Sequence, residues 1–412
     1  MSDQDLTVAE ALERVLATVS VLGSETVALL DSLGRVLAQD VVARDSLPPF
    51  DNSSMDGFAL VAEDVATASA ENPASLQVVG DVAAGKWPDF RIVNGEAARI
   101  MTGAPIPAGA TAVVPVEGTD ENWRGEVRPL PERVSVFRSV GAGDYIRPKG
   151  DDITAGSTIL HAGHLIRPQE ISVLASLGVP QVSVVRRARV GILATGDELV
   201  PVEDELTPGK IRNSNGYAQS AQVAALGAIP VPLGVASDTE EDMRARLQAG
   251  IDQNVDLFIS SAGVSVGAYD VVKAVLAADG DVNFWRVRMR PGKPLAFGKY
   301  AGVPYIGLPG NPVSSMVSFE RFAKPAIRKM MGERDPTPRT SLAVVQDSFR
   351  SDGRESYIRV VLEQVGDELH ATTTGDQGSH MITSLVKADG LLVVPEGVRE
   401  VQRGERLNVI WL

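Results

Sequence analysis

RVGILAT (Arg189–Thr195), VPLGVA (Val231–Ala236), DLFISS (Asp256–Ser261) and VPYIGL (Val303–Leu308) are short, nearly unbroken apolar runs, and each is followed by a segment that reads as a helix. Those helices are expected near Gly216 to Leu226, through DMRARLQAGI (242–251), through VVKAVLAA (271–278), and after Pro312. Runs too short for a helix and without polar alternation are strands buried on both sides; strand and helix in turn imply a parallel sheet covered on both faces. In open sheets of this kind, ligands bind beyond the carboxyl ends of the strands. Three segments occupy those positions. GDEL follows the first run with Asp197 and Glu198, AGVSVGAYD follows the third and ends at Asp270, and PGNP (Pro309–Pro312) follows the fourth.

Upstream, Thr7 to about Ser20 reads as a helix, with Thr7 and Glu10 as a capping box and Val8, Leu12, Val15, Leu16 and Val19 on one face. From Leu47 to Gly141 short apolar runs broken by Gly, Pro and Asp predict a small β-rich domain. A turn-rich stretch then leads to a helix near Pro168 to Leu177 that could return to the first helix, making a discontinuous first domain. Downstream of DPTPRT (335–340), the runs SLAVVQDSF, YIRVVLEQV, LLVVPEGV and RLNVIWL predict a carboxy-terminal β domain resembling a barrel. The expected division is 1–46 with 142–182, then 47–141, 183–332 and 333–412. The fold class is multidomain α/β and β.

With 412 residues, several domains are expected. A net charge of -14 excludes nucleic acid as the natural partner, since phosphate contacts need a basic stripe. An anionic small molecule stays compatible if cations gather in one pocket. The absence of cysteine removes disulfides, thiolate metal sites and thiol nucleophiles, leaving oxygen or imidazole for any metal. MSDQDLTVAEALERV lacks the basic start and apolar run of a secretion signal, and no 18-residue apolar stretch occurs. A cytoplasmic location with no membrane contact is expected.

FWRVRMRPGKPLAFG (284–298) gathers Arg286, Arg288, Arg290 and Lys293 within an acidic chain. Read as a strand, it places the three arginines on one face, opposite Val287 and Met289. For Arg286 and Arg288 a solvated sheet edge explains the pattern equally well. The RPGKP turn holds Arg290 and Lys293 in a proline-stiffened loop suited to an anion.

Asp197, Glu198, Asp238 and Asp270 fall near strand-to-helix junctions, and oxygen ligands suit Mg²⁺ on a pyrophosphate. Asp238 can equally cap the helix that follows it. Gly263 and Gly267 suit a tight turn whose backbone N–H groups meet an anion, although such turns after strands are common. Asn311 and Pro312 can be explained as a helix cap and first turn. Asp51, Asn52, Ser53, Asp56 and Thr102 can be turn formers alone. His161 and His164, three apart with no carboxylate or cysteine partner nearby in sequence, make a poor metal pair.

Taken together, DNSSMDGFAL, IMTGAPIPAGATAVV, GILATGDEL, LFISSAGVSVGAYD, RPGKPLAFG and IGLPGNPVSS stand in the order and spacing of the MoeA and gephyrin E-domain family, which the whole chain resembles. The resemblance implies a molybdopterin molybdenumtransferase: a four-domain homodimer that inserts molybdate into adenylyl-molybdopterin with Mg²⁺ and releases AMP. It implies that Asp56 and Thr102 reach the partner's cleft, and that Glu198, Asp238 and Asp270 hold metal or orient substrate. Lys293, Pro309 and Pro312 would shape the anion pocket, and Arg354 of GRESY and Ser379 of QGSH would face molybdate. The implied catalytic set is Asp56, Thr102, Glu198, Asp270, Arg290 and Lys293. Thr195, Gly196, Asp197, Ser261, Gly263, Ser265, Gly267, Gly310 and Asn311 would contact substrate. The family often has Lys-Pro-Gly-Lys where this chain has Arg290 to Lys293, and arginine favours electrostatic clamping over proton transfer.

Two other readings share these motifs. A molybdopterin adenylyltransferase would resemble only Arg189 to Met331, leaving the flanking domains without a role. A scaffold like the gephyrin E-domain would bind without turnover. The expected partners are the small pterin substrate and a second copy, with transient contact to other cofactor-biosynthesis proteins.

Overall fold

The capping box at the amino terminus is present in the computed structural model, which describes residues 5–121, 129–261 and 271–412. Thr7 Oγ1 accepts from Glu10 N at 3.1 Å, and Glu10 Oε2 accepts from Thr7 N at 2.8 Å. These bonds satisfy two otherwise orphaned donors. They open α1 (Val8–Ala17), which buries Val8, Ala11 and Val15.

The chain forms two compact units: Met1–Ala38 with Gly163–Arg167 and Val182–Leu412, and Gln39–Ala162 with Pro168–Gln181. The expected four-part division is finer than these units.

The first unit contains the strand-and-helix rhythm: β1 (Arg189–Thr195), α2 (Ser214–Ala225), β2 (Ile229–Ala236), α3 (Glu240–Asp252), β3 (Leu257–Ser261) and α4 (Val271–Asp279). β4 (Gly280–Arg286), β5 (Pro294–Tyr300), β6 (Val303–Leu308) and α5 (Pro312–Ser318) complete it. The sheet order is β2-β1-β3-β6-β5-β4. β2, β1, β3 and β6 are parallel, whereas β5 and β4 run antiparallel to their neighbours. Ile192, Leu257, Ile259 and Ile306 join the core that also takes α1 and α5. Leu193, Phe258 and Tyr305 point into a second core with Met243 and Leu247 of α3. Both sheet faces are therefore covered, which is why the strands lack polar alternation.

The same unit carries a barrel of β7 (Thr340–Val345), β8 (Glu355–Val365), β9 (Glu368–Thr373), β10 (Gly390–Val394) and β11 (Arg406–Trp411). β8 pairs with β9 and β10, β7 with β9 and β11, and β10 with β11, so the ring closes. Val345, Val360, Ala371, Leu392 and Val409 fill it. Closure leaves no open edge to template other chains.

The expectation that FWRVRMR forms one strand is corrected. β4 ends at Arg286, because residues 286–288 next meet the amino terminus: Leu6 N donates to Arg286 O and Arg288 N to Leu6 O, both at 2.7 Å. Met289–Arg290 then pairs in parallel with Glu355–Ser356 of the barrel. Long-range partners from two elements override a local period of two. Val287 and Met289 are nevertheless buried, while Arg286 and Arg290 are exposed.

The second unit has a five-stranded sheet in the order Ala112–Pro115, Gly57–Leu60, Glu96–Ile100, Ala74–Val82 and Arg133–Val136. It realises the expected β-rich domain. The helix Pro168–Ser176 groups with this unit and buries Leu174.

Candidate functional site

The carboxyl ends of the parallel strands open into a cleft of about 740 Å³, lined also by the barrel. Thr195 comes from the end of β1 and Glu198 from just beyond it, Ser261 from the end of β3, and Pro309, Gly310, Asn311 and Pro312 from beyond β6. Arg290 and Lys293 arrive on the turn before β5, and Arg354 and Ser379 on the barrel. Eleven of the expected site residues thus share one cavity within a single unit.

Glycine makes two of these turns possible. Gly196 has φ +135°, and a Cβ there would lie 2.3 Å from Glu198 Oε2, so any side chain would displace that carboxylate. Gly292 has φ +106°, and its Cβ would meet Ser318 Oγ at 2.5 Å. Both φ values are in the region that side chains disfavour. The Arg290–Pro291 bond between the two cations of the turn is cis.

The cations are loosely held. Arg290 Nη1 is 3.6 Å from Asp352 Oδ2 and the side chain is 54% exposed; Lys293 Nζ is 3.7 Å from Asp5 Oδ2 at 44% exposed. Neither distance is a good hydrogen bond, so both groups remain able to take a ligand anion. Arg354 is better fixed: Nε donates to Asp352 Oδ2 at 3.0 Å and Nη1 to Met289 O at 3.2 Å. The Arg354 hydrogen bond, with Arg290 further away, holds the Asp352 carboxyl below its ordinary range. Among the described residues, the cleft's charged lining is four cations, Arg212, Arg290, Lys293 and Arg354, against the one carboxylate Glu198. A chain of net charge -14 therefore presents a positive cavity. Ser261 Oγ, buried in the lining, has no hydrogen-bond partner among the described residues.

Several expectations fare differently. Asn311 precedes α5 without a side-chain cap, and its Nδ2 donates instead to Ser379 Oγ at 3.3 Å. It ties the strand-end rim to the barrel. Asp238 is not a cap either: Thr239 Oγ1 caps α3 by accepting from Asp242 N at 3.4 Å. Gly196, Asp197 and Asp238 lie outside the cleft lining; Asp197 Oδ1 accepts from Asp238 N at 3.1 Å. Gly263, Ser265, Gly267 and Asp270 lie outside the described residues. Asp56 and Thr102 belong to the second unit, where Asp56 Oδ1 accepts from Thr102 N and Oγ1, both at 2.7 Å. Both side chains are exposed.

The sequence reading passed over Arg212, Asn213, Ser214, Asn215 and Gln377, which also line the cleft. Asn213 Oδ1 caps α2 by accepting from Gly216 N at 2.9 Å, and Asn215 Nδ2 donates to Gly310 O at 2.7 Å. The Asn-Ser-Asn run before a helix was the available signal, but a cap explains it without a ligand.

Among the described residues no three acidic or imidazole side chains gather as a metal cluster. Mg²⁺ does not require one, since it commonly keeps waters and binds one or two carboxylates together with substrate phosphates. Glu198 and the Ser261 hydroxyl, which line the same cleft, fit that limited role.

Residues 6–178 match the MoeA N-terminal region (domain I and II), 191–329 a probable molybdopterin binding domain, and 343–412 the MoeA C-terminal region (domain IV). A Mycobacterium tuberculosis protein named molybdopterin molybdenumtransferase 2 is 41% identical over 393 residues, covering 93% of this chain and 94% of its own length. The Bacillus subtilis molybdopterin molybdenumtransferase is 37% identical over 408 residues, covering 98% and 93%. The crystal structure of a molybdopterin biosynthesis MoeA protein from Pyrococcus horikoshii superposes with a TM-score of 0.84 at 28% identity, covering 99% of this chain and all of that one. With relatives 37% and 41% identical over nearly their whole length and all three family regions in order, the chain belongs to the MoeA family of transferases of molybdenum cofactor biosynthesis.

Proposed function

We propose that this protein inserts molybdate into adenylyl-molybdopterin and releases AMP. The observation that carries the reading is the cleft's charge: among the described residues, four cations and one carboxylate in a strongly acidic chain. Bringing molybdate to a nucleotide-linked pterin means holding two anions side by side, and fixed cations do this without reorganising during the reaction. The strand-end rim would take the pyrophosphate-linked pterin on Thr195, Ser261 and the Pro309–Pro312 turn. Arg354 and Ser379 would hold molybdate on the barrel side, and Arg290 and Lys293 would span both. Mg²⁺, held by the substrate's phosphates and by Glu198, would supply charge neutralisation on the pyrophosphate. No cysteine competes with the dithiolene for molybdenum.

On the same reading the enzyme is a cytoplasmic homodimer in which the exposed Asp56–Thr102 pair completes the partner's cleft. Mixing Asp56→Ala with Glu198→Ala protein should then restore part of the activity through one intact hybrid site. Failure to recover despite proven subunit exchange would reject shared sites.

The direct test incubates the protein with adenylyl-molybdopterin, Mg²⁺ and molybdate and follows AMP. Release that depends on molybdate supports the insertase; release without it, or none, rejects the reading.

A further inference from the structure

Arg359 is among the largest side chains the fold buries completely, at 1% exposure. Among the described residues, its guanidinium donates only to neutral oxygens. Nε donates to Ser384 Oγ at 3.0 Å, and Nη2 donates to Gly378 O at 3.1 Å and more weakly to Asp376 O at 3.5 Å. Burial pushes its pKa down to about 10; Asp376 opposes the shift and Arg290 adds to it. A buried cation without a bonded carboxylate is costly, and an apolar side chain would fill the space with less penalty. Packing alone does not account for it.

The main chain of the same residue grips the same segment. Arg359 N donates to Gln377 Oε1 at 2.9 Å, and Arg359 O accepts from Gln377 Nε2 at 3.2 Å. Gln377, Gly378 and Ser379 line the cleft. The Gly378 carbonyl is turned onto the guanidinium, and the Gly378–Ser379 peptide is not among the cis bonds. In a trans peptide the C=O and N–H point in opposite directions. Ser379 N–H therefore points away from Arg359, and no described residue accepts from it. Meanwhile Ser379 O accepts from Val313 N at 3.2 Å and its Oγ accepts from Asn311, which fixes the residue at the junction of the two rims.

We propose that Arg359 is a positioning residue: by holding the Gly378 carbonyl, it orients the Gly378–Ser379 peptide so that Ser379 N–H donates to a tetrahedral oxyanion in the cleft. The oxyanion being molybdate rests on the function proposed above. Arg359 touches neither substrate nor product; it acts through the loop.

The test compares wild type with Arg359→Met, Arg359→Lys and Ser384→Ala. Molybdate Kd is measured by calorimetry, adenylyl-molybdopterin Kd separately, amide exchange over residues 376–384 by mass spectrometry, and folding by denaturant midpoint. Arg359→Met should raise molybdate Kd about tenfold, the loss of one hydrogen bond to an ion. It should speed exchange in the loop while leaving pterin-nucleotide Kd within twofold. Arg359→Lys keeps the charge and one bond to Gly378 O, and should fall between. Ser384→Ala should shift molybdate Kd about twofold in the same direction. An unchanged molybdate Kd in folded Arg359→Met, or equal weakening of both ligands, overturns the proposal. If Arg359→Met does not fold, Arg359→Lys decides: at least a threefold rise in molybdate Kd supports it and no rise overturns it. If wild type binds molybdate but releases no AMP, the insertase reading falls, while an unequal loss of the two ligands still supports the positioning role.

Discussion

The two rims of the cleft are built by different means. The strand-end rim is mostly turns: Thr195 and Glu198 at the end of β1 and just after it, and Pro309 to Pro312 after β6, with Asn213 and Asn215 hydrogen-bonded to backbone nearby. Its form follows from a sheet buried on both faces, so its geometry is set by the core. The barrel rim instead presents side chains, Arg354 and Ser379, whose placement depends on Asp352, Met289 O and Arg359. A rim set by strand ends is rigid and can fix a large ligand. One set by tethered side chains can be tuned for a small ion. The RPGKP turn belongs to both, because Met289–Arg290 pairs with the barrel while Pro294 begins β5.

The largest effect should come from the shared turn. Charge-assisted hydrogen bonds contribute roughly 1.5 to 3 kcal/mol. Arg290→Ala and Lys293→Ala should each lower kcat/KM for molybdate-dependent AMP release about ten- to a hundredfold, at roughly 1.4 kcal/mol per decade. Both ligands should weaken. Arg290→Lys should lie between wild type and alanine if the planar fork matters. Rates within twofold of wild type for both alanine proteins would make the turn a surface feature and misplace the site.

Next in size is the separation of the rims. Arg354→Ala and Ser379→Ala should raise the molybdate requirement about tenfold, equivalent to roughly 1.4 kcal/mol, and leave adenylyl-molybdopterin affinity nearly unchanged. Titrating each ligand against each variant checks this. Parallel loss of both affinities would mean the cleft is one undivided pocket.

Legibility in the sequence also divides along this line. Strands β1, β3 and β6 could be read because burial on both faces leaves unbroken apolar runs, β2 because VPLGVA is an apolar run even though its burial alternates, and Thr7 with Glu10 because a capping box is local. Two strand-end segments, after β1 and after β6, then followed from the topology, while the one after β3 lies outside the described residues. What escaped depends on partners far along the chain. The break after Arg286 is made by Leu6, and the seat of Met289–Arg290 by Glu355 and Ser356. Asn311 looked like a cap and is a tether to Ser379. Arg359, in a strand of ordinary pattern, gave no sign that it is buried. RPGKP was legible as a cationic turn because its cations stand out against an acidic background, and the structure places that turn in the cleft lining.

A smaller effect tests the direct bond between the rims. Asn311→Ala removes the 3.3 Å contact to Ser379 Oγ without removing a helix cap. Stability should stay within about 0.5 kcal/mol, as for substitutions away from special features. Molybdate affinity should fall two- to tenfold, corresponding to one net hydrogen bond of about 0.5 to 1.5 kcal/mol. Denaturant midpoint and calorimetry measure the two sides. A drop in stability above 1 kcal/mol, the usual size of a lost cap, would show that Asn311 does cap α5.

The smallest effect belongs to Asp352, which holds the barrel rim's Arg354 and faces Arg290. Its carboxyl is held below 3.8, first by the Arg354 hydrogen bond and with desolvation opposing. A depressed folded value means the carboxylate stabilises the folded protein at every pH above the ordinary aspartate range. That contribution is lost only as the pH falls from near 3.8 through the lower folded value. The side chain is 32% exposed, so solvent screens the pair and its contribution is a few tenths of a kcal/mol. Asp352→Asn should therefore be slightly less stable than wild type at pH 7, with the two proteins converging below about pH 3.8. Denaturant midpoints of both proteins across pH 7 to 3 provide the comparison. A gap that persists unchanged through the acid limb would mean that Asp352 acts through shape alone, and the electrostatic tether on Arg354 would then not distinguish the barrel rim from the strand-end rim.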